Sequence, residues 1–285
     1  MADVRPTATV KPVTSVQVKK SGNSISWLAP VLCIVIGYCL WRFFLGDASH
    51  FKTASGNGFW PDREGAIGNL YKMYQGGIIV PILIGCLLTV ITFVIERFLT
   101  ISKAAGSSSN ADFIRKVQYH LANKNVDAAL AECDKQKGSV GNVMRAGLNR
   151  YKDMINNNEL STDQKVMAIQ KEVEEATSLE LPMLEKNLVF LSTIASVATL
   201  LGLLGTVMGM IRSFSALGED TGGGAAAGKL SQGISEALYN TALGIGTSAL
   251  SIIFYNIFTT RIDGITYGID ESGFTLTQSF ASLYK

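Results

Sequence analysis

Charge is what this chain has least of. Asp, Glu, Lys and Arg make up 17% of its 285 residues, where an average soluble domain carries roughly 25%. Basic and acidic residues nearly cancel, 25 against 23, for a net charge of +2; that balance indicates no nucleic acid or other large polyanionic partner. Histidine is almost missing: His50 and His120 are the only two, far apart in sequence, which argues against a His-based metal site. Of the four cysteines, Cys33, Cys39 and Cys86 sit in apolar runs and Cys133 in a polar stretch. No pair has metal-ligand spacing and none suggests a disulfide framework, so the composition calls for no metal and no cofactor. No Ser/His/Asp, Cys/His or paired-carboxylate arrangement falls in the apolar segments, and hydrolytic or covalent catalysis has no visible apparatus.

What the chain has is apolar length. Hydrophobic residues reach 47% without counting 28 glycines, and mean hydropathy is positive. Four apolar runs stand out, at 27–45, 78–98, 188–214 and 234–260, each near or above the roughly 20 residues that cross a bilayer. Arg5, Lys11, Lys19 and Lys20 precede the first run, like the basic start of a secretory signal. That run ends in Leu40-Trp41-Arg42-Phe43-Phe44 without a small-x-small cleavage site, so it reads as a retained span. The basic leader, 1–26, puts the N-terminus in the cytoplasm. Alternation then places 46–77 outside and 99–187 inside. It also places 215–233 outside as a glycine-rich loop and 261–285 inside as a tail.

The inner region reads as helical. Phe113, Val117, Leu121, Val126, Ala129, Leu130 and Cys133 recur at about 3.6 residues, and so do Val140, Val143, Met144, Gly147 and Leu148. Ser161-Thr162 precedes a long run, 166–184, rich in glutamate. It is expected to continue into the third span with a kink just before Pro182. The fold class that follows is an all-α membrane protein whose transmembrane helices extend into a cytoplasmic helical bundle.

The third and fourth spans carry ordered polar residues. Ser192, Ser196, Thr199 and Thr206 share one helix face with Leu203 and Met210. Glu236, Asn240, Thr247 and Ser251 form a stripe on the fourth span, with Ala237, Thr241, Gly244 and Ser248 beside it. Polar stripes on membrane helices face protein or water, because lipid offers no partner. They point to an ion path, with Ser192, Ser196, Thr199, Asn240 and Thr247 as pore-lining candidates. An acidic residue at mid-membrane costs ~2.5–3.5 kcal/mol, which singles out Glu236; placed in a first helical turn, it also suits the helix dipole. Thr206 and Thr241 invite the plain reading of hydroxyls bonded to their own backbone. Gly205-x-x-x-Gly209, with Gly244, predicts close helix packing. The run Gly223-Gly-Ala-Ala-Ala-Gly228-Lys229 nearly spells a phosphate-binding loop, but Leu230 stands where Ser or Thr is needed and no strand precedes it. It reads as a flexible connector.

Leu203-Leu204-Gly205-Thr206-Val207-Met208-Gly209-Met210 and Gly233-Ile234-Ser235-Glu236-Ala237-Leu238-Tyr239-Asn240-Thr241-Ala242-Leu243-Gly244 resemble the two signature segments of the MotA/TolQ/ExbB proton channel family. The likeness is greatest to the ExbB and TolQ branches and weaker to MotA, which lacks this glutamate. Val94-Ile95-Glu96-Arg97 and the alanine-rich stretch 127–133 also resemble the family, so that the similarity covers roughly 76–264. The resemblance implies a bacterial inner-membrane protein that forms a homopentamer around two helices of a smaller ExbD- or TolR-like partner. That partner brings a membrane aspartate, and work passes to a TonB- or TolA-like protein. Carried over by motif, Thr206, Glu236 and Thr241 are the polar residues of the proton path. The run 27–45 departs from the pattern, since ExbB and TolQ usually have three spans. An ExbB role in TonB-dependent outer-membrane transport is the leading expectation. A TolQ role in envelope maintenance, a sodium-selective channel, a non-conducting scaffold and a sensor stand as alternatives.

Overall fold

A computed structural model of the chain describes residues 23–46, 73–219 and 224–284. Most of the basic leader, most of the segment 46–77, and residues 220–223 of the expected outer loop lie outside the described residues. Among the described residues there is no strand. Helix α1 spans Asn23–Cys39 and widens into a π-helical stretch at Leu40–Leu45. A 3-10 turn at Met73–Gly76 leads into α2, Ile79–Ala104. Three shorter helices follow, α3 at Asn110–Ala122, α4 at Val126–Gln136 and α5 at Ser139–Ile155. The chain ends in three long ones, α6 at Thr162–Glu185, α7 at Leu188–Glu219 and α8 at Gly224–Leu283. Four helical stretches are long and apolar enough to cross a membrane: Trp27–Leu45, Ile79–Ala104, and parts of Thr162–Ser215 and Gly233–Leu283.

Three local expectations give way. The glycine-rich connector is helical from Gly224 onward, and the tail after 260 is no separate element, because α8 runs unbroken for 60 residues, about 90 Å at 1.5 Å per residue. Its late glycines are held by tertiary contact: a Cβ on Gly268 would strike the Asn110 side chain, and one on Gly273 would lie 2.8 Å from Val173. The long glutamate-rich helix does not continue into the third span through a kink before Pro182. Pro182 sits inside α6, and the break comes at Lys186–Asn187, where Asn187 takes a left-handed φ of 66°. At the other end of α6, Ser161 and Gln164 form a reciprocal capping box, which satisfies two of the orphan donors of the first turn.

The core runs through both halves, since one buried cluster holds Phe113 and Phe280 together with Phe93, Leu191 and Phe258. In the polar half, α3, α4, α5 and α6 wrap the lower part of α8, burying Phe113, Leu121, Met144, Leu148, Ile169, Leu276 and Phe280. Phe280 meets Tyr151 edge-on at 4.8 Å, and Thr162 Oγ1 donates to Tyr284 O at 3.0 Å, which pins the end of α8. In the apolar half, α7 and α8 are the main pair, and α2 lies against one side of it through Ile79, Leu83 and Ala198. Leu200, Val207, Ile211, Ile245 and Ile253 stay exposed on this half, as side chains facing lipid or another chain must be.

Candidate functional site

Helices α7 and α8 meet without intervening side chains. A Cβ added to Gly244 would lie 2.6 Å from Ala198 O and 2.8 Å from Gly202 Cα; one on Gly205 would lie 2.5 Å from Asn240 Cβ, and one on Gly209 2.8 Å from Ala237 Cβ. Gly205, Gly209 and Gly244 therefore pack the two helices of one chain together. Close backbones bring polar groups into reach. Thr241 Oγ1 donates to Gly202 O at 3.1 Å, Ser248 Oγ to Ala195 O at 2.5 Å and Ser251 Oγ to Leu191 O at 2.7 Å.

The two polar stripes have different fates. On α7, Ser192 and Ser196 are exposed, and Thr199 and Thr206 half-buried. Ser192 Oγ donates to Val189 O at 3.1 Å, Thr199 Oγ1 to Ala195 O at 3.3 Å and Thr206 Oγ1 to Leu203 O at 2.6 Å. Each of these hydroxyls gives its proton to the helix's own carbonyls and keeps acceptor lone pairs for whatever approaches. On α8 the stripe turns inward. Asn240 is 2% exposed and Thr247 1%, so both candidate pore residues are covered by their own chain. Period alone cannot separate a stripe that lines water from one that seals a helix contact; here the flanking glycines draw it into the contact.

Thr206, Thr241 and Glu236 are not brought to one surface. Thr206 lies on the open side of the α7–α8 pair, in an apolar groove with Met210, Phe214, Ile234 and Leu238. Thr241 bonds α7 one turn before it. Glu236 precedes Thr241 by five residues and so points about 140° away. It lines a cavity of about 20 Å³ on the α2 side, together with Gly76, Ile79, Gly205, Arg212 and Asn240.

A second polar cluster stands where α2 leaves the apolar half. Arg97 is 2% exposed. Its Nε and Nη2 donate to the two carboxylate oxygens of Glu96 at 3.1 and 2.5 Å, and Nη1 reaches Met183 O at 3.4 Å and Leu184 O at 3.3 Å. Asn187 Nδ2 donates to Glu96 Oε2 at 2.8 Å. The cluster thus ties the broken end of α6 to α2. In the sequence, Glu96-Arg97 marks only the inner end of a span; an arginine directly after an apolar run was the available signal for a buried cap.

The residues that match a described family include α7 and most of α8. Residues 135–271 match the model of the MotA/TolQ/ExbB proton channel family. Among similar proteins, a putative biopolymer transport protein ExbB-like 3 of Synechocystis sp. is 41% identical over 86 residues, 30% of this chain and 41% of that protein. A Tol-Pal system protein TolQ of Pseudomonas aeruginosa is 32% identical over 122 residues, 43% of this chain and 52% of that one. A biopolymer transport protein ExbB of Pseudomonas putida is 38% identical over 82 residues, 29% and 24% of the respective lengths. The chain thus spans about half or less of the length of these relatives. The glycine-packed pair, the hydroxyl stripe and Glu236 all lie inside the matched residues, so that this part of the chain is similar to the MotA/TolQ/ExbB proton channel family.

Proposed function

We propose that this chain is the channel-forming subunit of a bacterial inner-membrane complex that draws on the proton motive force to energise TonB-dependent transport across the outer membrane. In that complex it forms a homopentamer around two copies of an ExbD-like partner and acts on a TonB-like protein. The observation that carries the reading is the open hydroxyl ladder of Ser192, Thr199 and Thr206, whose protons are engaged by backbone carbonyls. Such a face presents acceptors. It suits a proton donor, which is what a protonated carboxyl on a mobile partner helix or a water chain provides, and it suits a carboxylate anion poorly. Protonation would therefore favour docking on the ladder, and ionisation would favour release into water. Glu236 acts from the other side of α8, setting the charge near the outer end of the path. The 122-residue match to a TolQ supports a second reading, in which the same device powers envelope maintenance through a TolR-like subunit and TolA.

The test is transport in cells with assembly measured alongside. Thr206→Val keeps volume and deletes the acceptor; it should abolish energy-dependent uptake while the complex still assembles, and Thr206→Ser should keep much of the activity. Glu236→Ala and Glu236→Gln should also assemble and fail to transport. Full transport by both Thr206→Val and Glu236→Ala at normal expression would leave only a scaffold. Rescue of TolA-dependent detergent resistance instead of uptake would select the second reading.

A further inference from the structure

The cavity beside Glu236 carries a requirement that the protein itself leaves unmet. Asn240, 2% exposed, donates its Nδ2 to Gly76 O at 3.1 Å. Because only the amide NH₂ can serve a carbonyl, that bond fixes which way the side chain points. Its Oδ1 is then buried and without a hydrogen-bond partner, on a residue that lines the cavity. A buried amide oxygen in that state costs ~1–3 kcal/mol, so native structures rarely leave one bare. The cavity holds about 20 Å³, and a single water requires roughly 10–15 Å³ by the same measure. Two of its other walls are ionisable, Glu236 and Arg212. The Arg212 guanidinium lies against Gly77, where a Cβ would be 2.8 Å from Nη1. A guanidinium on one wall disfavours a metal cation, and a carboxylate on another disfavours an anion. A neutral dipole that can both donate and accept fits both.

We propose that this cavity binds one ordered water, which donates to Asn240 Oδ1 and to the ionised Glu236 carboxylate and accepts from Arg212. Asn240 is thereby a positioning residue for Glu236, acting through the water. When Glu236 takes up a proton, its new O–H donates to the water oxygen and the water turns one hydrogen away; no further group is needed to balance the step. Among the described residues, the charged groups that line the site are Arg212 from α7 and Glu236 from α8. The third wall, Gly76–Ile79, is backbone and aliphatic, and α1 holds it in place. Trp41 stacks on Tyr74 at 4.6 Å and donates Nε1 to Tyr74 O at 3.2 Å, and Arg42 Nη1 donates to Tyr74 Oη at 3.1 Å. The additional N-terminal helix thus braces the turn whose Gly76 carbonyl orients Asn240.

This site deepens the role proposed for Glu236 and rests on it, and its test separates the two. In the assembled complex in lipid nanodiscs, a map that resolves waters should show one density peak within hydrogen-bond reach of Asn240 Oδ1 and Glu236. A collapsed or side-chain-filled cavity overturns the proposal. Infrared titration then follows the Glu236 carboxyl band, assigned by its loss in Glu236→Gln. Asn240→Leu removes the water's anchor, so the ionised form loses support and the midpoint should rise by about one pH unit, tenfold in proton affinity. An unmoved midpoint overturns the positioning role. Should Asn240→Leu fail to assemble, Gly76→Ala serves instead: its Cβ would sit 2.8 Å from Asn240 Oδ1 and 2.6 Å from Val80 Cγ2, closing the cavity without touching an ionisable group, and the same rise is expected. If Glu236→Gln abolishes transport while the midpoint stays fixed in both variants, only the water site fails. If Glu236→Gln transports normally, the proposed role of Glu236 fails, whatever the cavity holds.

Discussion

Replacing Arg97 tests whether the junction between the apolar and polar halves is held as described. The last carbonyls of α6 have no amide one turn ahead, since the chain turns at Lys186 and reverses handedness at Asn187. Arg97 fills that role for Met183 and Leu184 from a site 2% open to solvent. Its bonds to them are long, 3.4 and 3.3 Å, so each contributes toward the lower end of ~0.5–1.5 kcal/mol. The Glu96 side chain is 42% exposed, so the carboxylate recovers much of its solvation when the guanidinium is lost, and the ion pair itself adds little beyond ~1 kcal/mol. Arg97→Met, which keeps the buried stem, should therefore destabilise by ~2–3 kcal/mol, the sum of two unsatisfied carbonyls and a weakened pair. Arg97→Lys keeps the charge but cannot span carboxylate and carbonyls together, and should lose about half as much. At ~2–4 °C per kcal/mol, thermal unfolding of the detergent-solubilised protein should drop by roughly 4–12 °C for Arg97→Met. Amide exchange should accelerate at 183–190. Asn187 gives an internal check. Asn187→Ala loses the bond to Glu96 and keeps the left-handed φ, whereas Asn187→Gly loses the same bond and removes the strain, so Ala should be the worse by about 1 kcal/mol. An Arg97→Met protein with wild-type melting and wild-type exchange would refute the capping argument.

Gly244→Ala places a methyl against backbone atoms at 2.6 and 2.8 Å, and overpacking of ~1–3 kcal/mol should lower the melting temperature. Gly264→Ala, with nothing within 4 Å, should gain up to ~1 kcal/mol of helix propensity, and a matching loss at both positions would contradict the seam. Burial raises the Cys133 thiol from its ordinary 9.0 to about 12, with Asp134 adding to the effect. The folded chain then keeps a proton that the unfolded chain releases, so its contribution is full below pH 9 and is lost as pH rises toward 12. Cys133→Ala should flatten the alkaline fall in stability over that window, measured by urea unfolding, and maleimide should label the buried Cys133 of the native protein far more slowly than the same thiol after unfolding in urea.

The long apolar runs were legible because length and composition alone define a span, and the glycine pair at 205 and 209 because small residues four apart bring backbones together wherever they occur. The direction of a polar stripe was not. Asn240 and Thr206 carry the same periodic signal, yet one is sealed under α2 and the other lies open, a difference made by Gly76 and Ile79 some 160 residues away in sequence. The break at Asn187 was displaced from Pro182 for a similar reason. Proline lacks an amide and crowds the preceding turn, yet α6 passes through it, and Arg97 and Glu96, from a distant helix, stabilise a break five residues later. Packing of Gly268 against Asn110 and of Gly273 against Val173 holds the late part of α8 in place.

The geometry also limits how a proton could do work on this subunit. Sliding α7 along α8 would break the bonds from Thr241, Ser248 and Ser251 to Gly202, Ala195 and Leu191, at ~0.6–1.7 kcal/mol each in a membrane. It would also drive backbone into backbone at Gly202 and Gly244. One charge crossing 100 mV delivers ~2.3 kcal/mol, against ~1.8 kcal/mol for the three bonds at the lower figure and ~5 kcal/mol at the upper, before the steric term at Gly202 and Gly244 is added. A single proton therefore does not reset the seam. α7 and α8 move as one body, and α8, continuous for 60 residues, carries any tilt of that body into the polar half. On the function proposed above, the step that answers to protonation lies on the open hydroxyl face, between this chain and what docks there. Cross-linking Gly202 to Thr241 through paired cysteines should accordingly leave proton-driven activity intact; its loss on oxidation, and return on reduction, would show that the seam itself moves.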